Sequence, residues 1–326
     1  MKKTLIALTL GTATAALAAP ALAEYPTRPI QMLIPYGPGG ATDLSARALA
    51  TALTPIVPQP VVVSNRAGAG GTTGSVAVRD ADADGYTLLF ARVGSHTVNP
   101  AMNPNLPFNI DEFSYLGIYE INPVACVVNS NSGITSIDDL IAKVNDNPGT
   151  VLFSSAGVGT LPHFGALMVL DAYGITDLAE NVIHIPTEGD GQALTAVLQG
   201  TSDFYCGSTS PAAPFVQSGQ MVPLLVTSAE RIDGFDAPTV DELGKPELQA
   251  LVGWTGIAGP AGLSDEVTER WGEWLSAAAQ DESFMNFMTS GGSVVQVMSP
   301  EESVTFINDA YEVFRRLVIE LDLEID

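Results

Sequence analysis

Three glycine-rich loops contain the residues of this chain that are best suited to chemistry. The first loop, residues 36–43, follows an apolar run at 30–35 and leads into a helical pattern beginning at Asp43. A strand that enters a helix through glycines aims free backbone N–H groups and the positive end of the helix dipole at one point. The loop therefore predicts an anion site, with Thr42 or Asp43 as the N-cap. A tight strand-to-helix turn with no ligand is the alternative.

A similar loop lies in the middle of the chain, where the strand-like run 150–155 leads into residues 156–160. The hydroxyls of Ser154, Ser155 and Thr160, together with exposed N–H groups, suit the oxygens of a carboxylate. His163 adjoins them, although a packed or capping role is commoner for such a histidine. Two loops of this kind, one in each of two lobes, could face each other across a cleft.

The remaining glycine cluster, residues 65–74, follows the run 61–63 and could pass for a dinucleotide fingerprint. Its spacing is imperfect, and the next predicted strand ends without an acidic residue for a ribose. A structural turn is therefore the preferred interpretation. A nucleotide-dependent oxidoreductase that uses the loop from Gly68 to Gly74 remains the rival function.

Motifs for catalysis are missing from the sequence. No serine lies in a G-x-S-x-G elbow, and the three histidines, at 96, 163 and 184, are scattered without an H-E-x-x-H or C-x-x-C pattern. We therefore predict no catalytic residue, no metal site and no cofactor, and we expect a protein that is not an enzyme.

Apolar, β-branched runs alternate with helical patterns along most of the chain. This alternation is typical of α/β layers with largely parallel sheets. The predicted strands are 30–35, 60–64, 86–91, 123–129, 150–155, 181–186, 202–206, 222–228 and 252–258. The predicted helices are 43–53, 72–80, 136–145, 161–172, 189–199, 211–218, 265–280 and 300–321.

The last helix has the clearest signals. Ser299 as N-cap, Pro300 at the first position and Glu302 at the third form a capping box. An apolar stripe then predicts a face packed on a core, formed by Val304, Ile307, Tyr311, Phe314, Val318 and Leu321.

The N-terminal 23 residues have the features of a cleavable signal peptide. Lys2 and Lys3 precede an Ala/Leu-rich stretch, and Ala21-Leu22-Ala23 forms a cleavage signal. We therefore expect an exported protein with a mature start at Glu24. The formal net charge of the full chain is −24. This acidity argues against a nucleic-acid partner or an anionic membrane surface.

Cys126 and Cys206 are the two cysteines of the chain, and both lie in apolar strand-like runs. Export would permit a disulfide bond. Because nothing in the sequence brings their Cα atoms within reach, two buried free thiols are the preferred interpretation.

Taken together, the order and spacing of the loops resemble the Bug family, the periplasmic receptors of tripartite tricarboxylate transporters. The similarity extends over essentially the whole chain after residue 23. It is carried by Y-P-T-R-P-I at 25–30, I-P-Y-G-P-G-G at 34–40 with Asp43, N-R-A-G-A-G-G at 65–71, D-G-Y-T-L-L at 84–89, and the later series Gly200, Asp203, V-T-S at 226–228, Arg231 and P-T-V at 238–240.

The resemblance implies a two-lobed type II periplasmic binding protein fold, with mainly parallel sheets flanked by helices and a ligand cleft between the lobes. Residues 24–125 and 251–326 would form lobe 1, and residues 126–250 would form lobe 2. The implied function is a receptor in the periplasm that traps a small organic carboxylate and delivers it to an inner-membrane permease. The ligand could be a mono-, di- or tricarboxylate, or an amino or aromatic acid. A ligand-sensing partner of a signalling protein is a further alternative.

The candidate ligand-binding residues come from this carry-over and from the loops themselves. They are Tyr36, Gly39, Gly40, Ala41, Thr42, Asp43, Ser154, Ser155, Gly157, Gly159, Thr160, His163, Thr187 and Asp203. One departure from the family falls in this region: Thr187 and Glu188 stand where the family often has an aromatic residue and a base. Glu188 could pair with an amino group of the ligand or disfavour a second carboxylate, but a solvent-facing side chain is the preferred interpretation.

Overall fold

A computed structural model describes residues 24–320 and 323–324. The predicted signal peptide and Leu321 lie outside the described residues. The strands are β1 (Ile30–Ile34), β2 (Val61–Asn65), β3 (Thr87–Arg92), β4 (Phe113–Asn129), β5 (Val151–Ser155), β6 (Val182–Pro186), β7 (Phe204–Ser208), β8 (Met221–Val226), β9 (Val252–Pro260) and β10 (Val294–Val295).

Helices alternate with these strands, as the sequence predicts. They are α1 (Ala41–Leu53), α2 (Thr72–Arg79), α3 (Asn99–Met102), α4 (Ile137–Asp146), α5 (Leu161–Ala172), α6 (Leu178–Asn181), α7 (Asp190–Gln199), α8 (Thr209–Gln217), α9 (Asp265–Ala278), α10 (Glu282–Ser290) and α11 (Pro300–Glu320). Short 3₁₀ turns occur at Ala69–Gly71, Ile110–Glu112 and Pro246–Ala250, and a π-helical turn occurs at Gly94–Val98.

The sheet has two halves that share the long strand β4. In the first lobe, β1 pairs in parallel with β2 and β3, and in the second lobe, β5 pairs in parallel with β6 and β7. Residues 113–123 of β4 pair antiparallel with β9, whereas residues 124–129 pair antiparallel with β7 and β8. The chain therefore passes from one half of the sheet to the other near Val124.

One apolar cluster extends across both lobes and includes the last helix. Ile307, Phe314 and Val318 of α11 are buried in it, and Phe164 of α5 meets Phe314 edge to face with 5.1 Å between the ring centroids. The predicted capping box of α11 is confirmed. The Ser299 N–H donates to Glu302 Oε2 over 2.8 Å, and the Glu302 N–H donates to Ser299 Oγ over 3.2 Å.

The two cysteines form a disulfide bond, so the prediction of free thiols is wrong. Cys126 of β4 lies directly opposite Cys206 of β7 in the antiparallel register, and their Cα atoms are 4.0 Å apart. Pairing of the two strands thus brings together side chains that are 80 positions apart in the sequence.

Candidate functional site

The loop after β1 leads into α1 as predicted, but the helix begins earlier than the sequence indicates. Gly40 is the N-cap and forms no side-chain cap bond, so neither Thr42 nor Asp43 occupies that position. Asp43 instead stabilises the loop, because its carboxylate accepts hydrogen bonds from the Gly39 N–H, from Arg47 and from Asn65. Burial opposes ionisation of this carboxyl, but these donors outweigh it and lower the pKa of Asp43 below its usual value.

In the second lobe, the loop after β5 leads into α5 in the same way. Thr160 is the N-cap of α5 and forms no side-chain cap bond with the helix. The predicted role of the hydroxyls differs from the one observed. Ser154 Oγ donates to the Ala193 carbonyl over 2.9 Å, and Thr160 Oγ1 donates to the Gly157 carbonyl over 2.6 Å.

Ser155 is likewise engaged inside its own lobe, 2.6 Å from His184 Nε2 and 3.0 Å from the Gly157 carbonyl oxygen. The three hydroxyls therefore shape the loop. What the loop presents to the other lobe is mainly backbone, at residues 156–158 and at the start of α5.

Two of the contacts between the lobes run along the glycine-rich loops, and we call them the Gly37 seam and the Gly70 seam. In the Gly37 seam, residues 37–41 meet residues 188–191, and the Gly37 N–H donates to the Glu188 carbonyl over 2.8 Å. In the same seam, the Ala41 N–H donates to Asp190 Oδ2 over 3.0 Å.

The Gly70 seam joins residues 69–71 and Asn99 to residues 157–159. A Cβ atom at Gly70 would lie 2.5 Å from the Val158 carbonyl oxygen, and one at Gly159 would lie 2.5 Å from Asn99 Oδ1. Both glycines also have positive φ angles, 63° and 73°. Glycine is thus required here by both conformation and close approach.

An outer cavity of about 440 Å³ lies between the lobes. It is lined by Tyr36, residues 68–72, Asn99, Asn103, Leu106, Pro107, residues 156–158 and residues 186–188. Glu188 is the one charged residue in this lining, and it is exposed. Thr187 Oγ1 donates to the Ser155 and Gly189 carbonyls and holds this side of the cavity.

A much smaller inner cavity of about 10 Å³ lies deeper and shares Tyr36 with the outer one. Its lining comprises Tyr36, Thr42, Arg92, Gly94, Ala156, Thr160, Leu161, Pro162, Asp190 and Ser208. Burial raises the pKa of Tyr36, so its hydroxyl stays protonated at the junction of the two cavities.

Arg92 is a buried cation at this inner cavity, with 4 % of its surface exposed. Its guanidinium donates to the side-chain oxygens of Thr255, Ser208 and Asn122. The carboxylate of Glu120 lies 3.9 Å away and accepts a hydrogen bond from Thr255 Oγ1 over 2.7 Å. A fixed guanidinium held mainly by neutral oxygens can still attract an anionic group in the cavity.

Several predicted site residues lie outside the linings of both cavities: Gly39, Gly40, Ala41, Asp43, Ser154, Ser155, Gly159, His163 and Asp203. Asp203 precedes β7, at the opposite end of the parallel strands, where it pairs with Lys143 at 2.6 Å and accepts from the Leu152 N–H. Asp203 therefore holds the edge of the second lobe, and the structure does not bring it to the cleft.

His163 packs beneath the second loop, with its ring stacked on His184 at 4.3 Å between centroids. Burial, with a smaller contribution from His184, lowers the pKa of His163 to about 3. His163 is therefore a packed histidine, which is one of the two commoner roles given for it from the sequence. Within residues 24–320 and 323–324, no group of three or more potential ligands is arranged to hold a metal ion.

Sequence reasoning missed several residues of the cleft. Residues 68–72 were interpreted as a turn, although they line the outer cavity. Arg92 and Asp190 could have been found from the sequence. Arg92 is a charged residue at the end of the buried strand β3, and Asp190 is a charged residue at the start of α7, the helix that follows β6. The carboxyl ends of parallel strands are the usual place for ligands in open α/β sheets.

Comparison with known proteins identifies the family. The model of the tripartite tricarboxylate transporter family receptor matches residues 45–323. The chain belongs to this receptor family. The resemblance drawn from the loop motifs is thereby confirmed.

Relatives of this receptor cover nearly its whole length. BugT of Bordetella pertussis is 32% identical over 314 residues, which are 95% of this chain and 94% of that protein. The solved structure of the periplasmic binding protein BugD has a TM-score of 0.85 at 28% identity and covers 92% of this chain and 99% of that one. A further structure, described as a periplasmic transporter, has a TM-score of 0.88 at 26% identity and covers 93% of this chain and 100% of that one. The two-lobed binding-protein fold is thus shared with this group, and no helix in the described part of the receptor has the length and apolarity to cross a membrane.

Proposed function

We propose that this receptor binds a small organic carboxylate between its lobes in the periplasm and delivers it to an inner-membrane permease. The observation that carries the proposal is the convergence of three features on the cleft. These are the start of α5, whose N-cap Thr160 makes no side-chain cap bond, the hydroxyl of Thr42, and the Arg92 guanidinium. Each can supply a hydrogen bond to an anionic oxygen, and the helix dipole adds a favourable potential.

Ligand capture would depend on the relative position of the lobes. The first lobe supplies Thr42 and Arg92, and the second supplies the start of α5. A ligand that contacts both sets binds best when the seams are formed, and it would shift the protein toward that arrangement. Delivery to a permease rests on membership of the family.

We also propose that the receptor acts without catalysis. None of its histidines is among the residues that line the inner or outer cavity. The rival oxidoreductase function would use residues 68–74, and binding of a nicotinamide dinucleotide would favour it. A role as a ligand-sensing partner of a signalling protein would use the same cleft and differ in the protein that docks.

A thermal-shift screen tests the proposal. Mono-, di- and tricarboxylates, amino acids and aromatic acids are compared with their primary amides and with NAD. A carboxylate present at 100 times its Kd should stabilise the fold by about 2.7 kcal/mol. The proposal fails if no carboxylate raises the melting temperature, and a shift with NAD alone would favour the oxidoreductase.

A further inference from the structure

The carboxylate of Asp190, in the second lobe, lies against the start of α1 in the first lobe. It is the first residue of α7, lies between Gly189 and Gly191, and is 8 % exposed. Its Oδ2 accepts the Ala41 N–H over 3.0 Å, and its Oδ1 accepts the Tyr205 hydroxyl over 2.8 Å. Burial, together with the Asp190 carboxylate, raises the pKa of Tyr205, so this hydroxyl remains a donor.

This arrangement changes which part of the cleft can accept an anion. The start of α1 is one of the helix N-termini at the interface between the lobes, and its first N–H group already has a negatively charged partner. A ligand carboxylate at the same place would lie against Asp190, and the two like charges would repel each other in a largely buried environment. The start of α5 and the Arg92 guanidinium line the inner cavity and remain as possible donors to a carboxylate.

The outer cavity leads to the same conclusion from a separate observation. Glu188 is the charged residue of its lining, and no lysine or arginine of the described chain lines that cavity. A second carboxylate extending from the inner end of the cleft would therefore meet a negative charge. A neutral or cationic end would not.

We propose that Asp190 is a specificity-determining residue that makes this receptor select ligands with a single carboxylate over dicarboxylates of the same length. The inference rests on the proposed function, because it assumes that a carboxylate binds in the cleft. The Asp190 carboxylate holds the Ala41 N–H group that a second ligand carboxylate could otherwise use, and Glu188 is the charged residue that lines the outer cavity.

The test uses three length-matched series of four to eight carbons: unbranched monocarboxylates, dicarboxylates and ω-aminocarboxylates. Hexanoate, adipate and 6-aminohexanoate are one such trio. Calorimetric titration of the wild type should give a Kd for the dicarboxylate at least about 10-fold weaker than for the best-matched single carboxylate, since each tenfold corresponds to about 1.4 kcal/mol.

Substitution of Asp190 should reverse this preference. Asp190→Ala frees the Ala41 N–H and should improve the ratio of dicarboxylate to monocarboxylate affinity by about 10-fold or more. Asp190→Asn keeps an oxygen for that N–H and should give a smaller gain, and it also guards against poor folding of the alanine variant. Glu269→Gln, at an exposed position on α9, is the control and should leave the ratio unchanged.

The affinity ratio separates specificity from a structural role. Loss of the seam contact alone would weaken all ligands alike and leave the ratio unchanged, which would overturn the inference. A wild type that binds a dicarboxylate as tightly as its matched monocarboxylate would also overturn it, while supporting the proposed function. If neither the wild type nor the Asp190 variants bind any member of the three series, this inference fails, whereas the proposed function is decided by the wider thermal-shift screen.

Discussion

The three histidines of the chain are held in their neutral form by burial. The pKa of His96 falls to about 3 and that of His184 to about 4, in both cases because burial disfavours the charged imidazolium. His163 behaves in the same way. An unfolded chain binds protons at these residues below pH 6.5, whereas the folded chain does not, so their contribution to stability is complete above pH 6.5 and is lost as the pH falls toward 3.

Replacing His96 should therefore flatten the acid side of the stability profile. His96 is fully buried among Phe108, Phe113 and Tyr115. A histidine that stays neutral when folded costs about 1.4 kcal/mol of stability for each pH unit below 6.5. The change in the free energy of unfolding caused by His96→Phe should therefore be about 2 kcal/mol more favourable at pH 5.0 than at pH 7.5.

Urea unfolding of both proteins at pH 5.0 and pH 7.5 measures this difference. The comparison between the two pH values serves as the control, because any change in packing affects the free energy of unfolding at both. Parallel stability profiles for the two proteins would show that His96 is protonated in the folded state.

At the scale of single residues, the sequence predicted which residues lie near the cleft better than it predicted what their side chains do. Tyr36, Thr42 and Thr160 do line the cavities. Asp203 does not, because a family pattern fixes a position in the chain and not the end of the strand at which that position lies. The serine hydroxyls were assigned to a ligand because the sequence cannot show that nearby carbonyl groups already accept their hydrogen bonds.

Secondary-structure elements followed the sequence closely wherever apolar periodicity was strong. The predicted helices 161–172 and 265–280 match α5 and α9 within two residues. The first part of β4 was missed, since Glu120 and Asn122 interrupt its apolar pattern. Both side chains are fully buried and hydrogen-bonded to each other over 2.8 Å, a pairing that only the folded structure reveals.

The register between β4 and β7 gives the next prediction. Because Cys126 and Cys206 are bonded, protein that is denatured without a reductant should show no reactive thiol, and two after reduction. A double Cys126→Ala/Cys206→Ala variant should lose about 2–5 kcal/mol of stability, as is typical when a native disulfide is removed.

Thiol labelling with mass spectrometry checks the first statement, and urea unfolding checks the second. Reduced wild-type protein is the matched control for the variant. Two thiols labelled before reduction would contradict the disulfide bond between Cys126 and Cys206.

The two seams join the lobes at their glycine-rich loops, and the effect of their glycines on binding can be measured separately from the effect on stability. Gly70→Ala places a methyl group 2.5 Å from the Val158 carbonyl oxygen of the other lobe, so it should hold the lobes apart. We expect the affinity for a carboxylate found in the thermal screen to fall by about 10-fold or more. The reason is that the added methyl group should raise the free energy of the closed arrangement by about 1.4 kcal/mol or more.

Gly133→Ala is the matched control. Gly133 has a φ of 79° and nothing within 4 Å of an added Cβ, so this substitution introduces similar backbone strain without a contact between lobes. Both variants should lose about 1 kcal/mol or more of stability. Equal affinities of the two variants would show that the Gly70 seam is not needed for binding.

The sequence also predicted the arrangement of the whole chain, because three strand–loop–helix units of similar design identified two lobes and a cleft. It did not show that Asp190 reaches the start of α1. That contact joins residues 149 positions apart and depends on how the lobes meet. One N–H group of the anion site predicted at residues 36–43, that of Ala41, is thus already bound by a carboxylate of the protein itself.

Calorimetric titration with one carboxylate and its primary amide tests the central claim most directly. The ligand is the carboxylate that gives the largest rise in melting temperature. Hydrogen bonds to a charged group contribute about 1.5–3 kcal/mol each, so the amide, which keeps the shape but not the charge, should bind about 100-fold more weakly or not at all. An amide that binds as tightly as its carboxylate would contradict the account of this cleft as a carboxylate site.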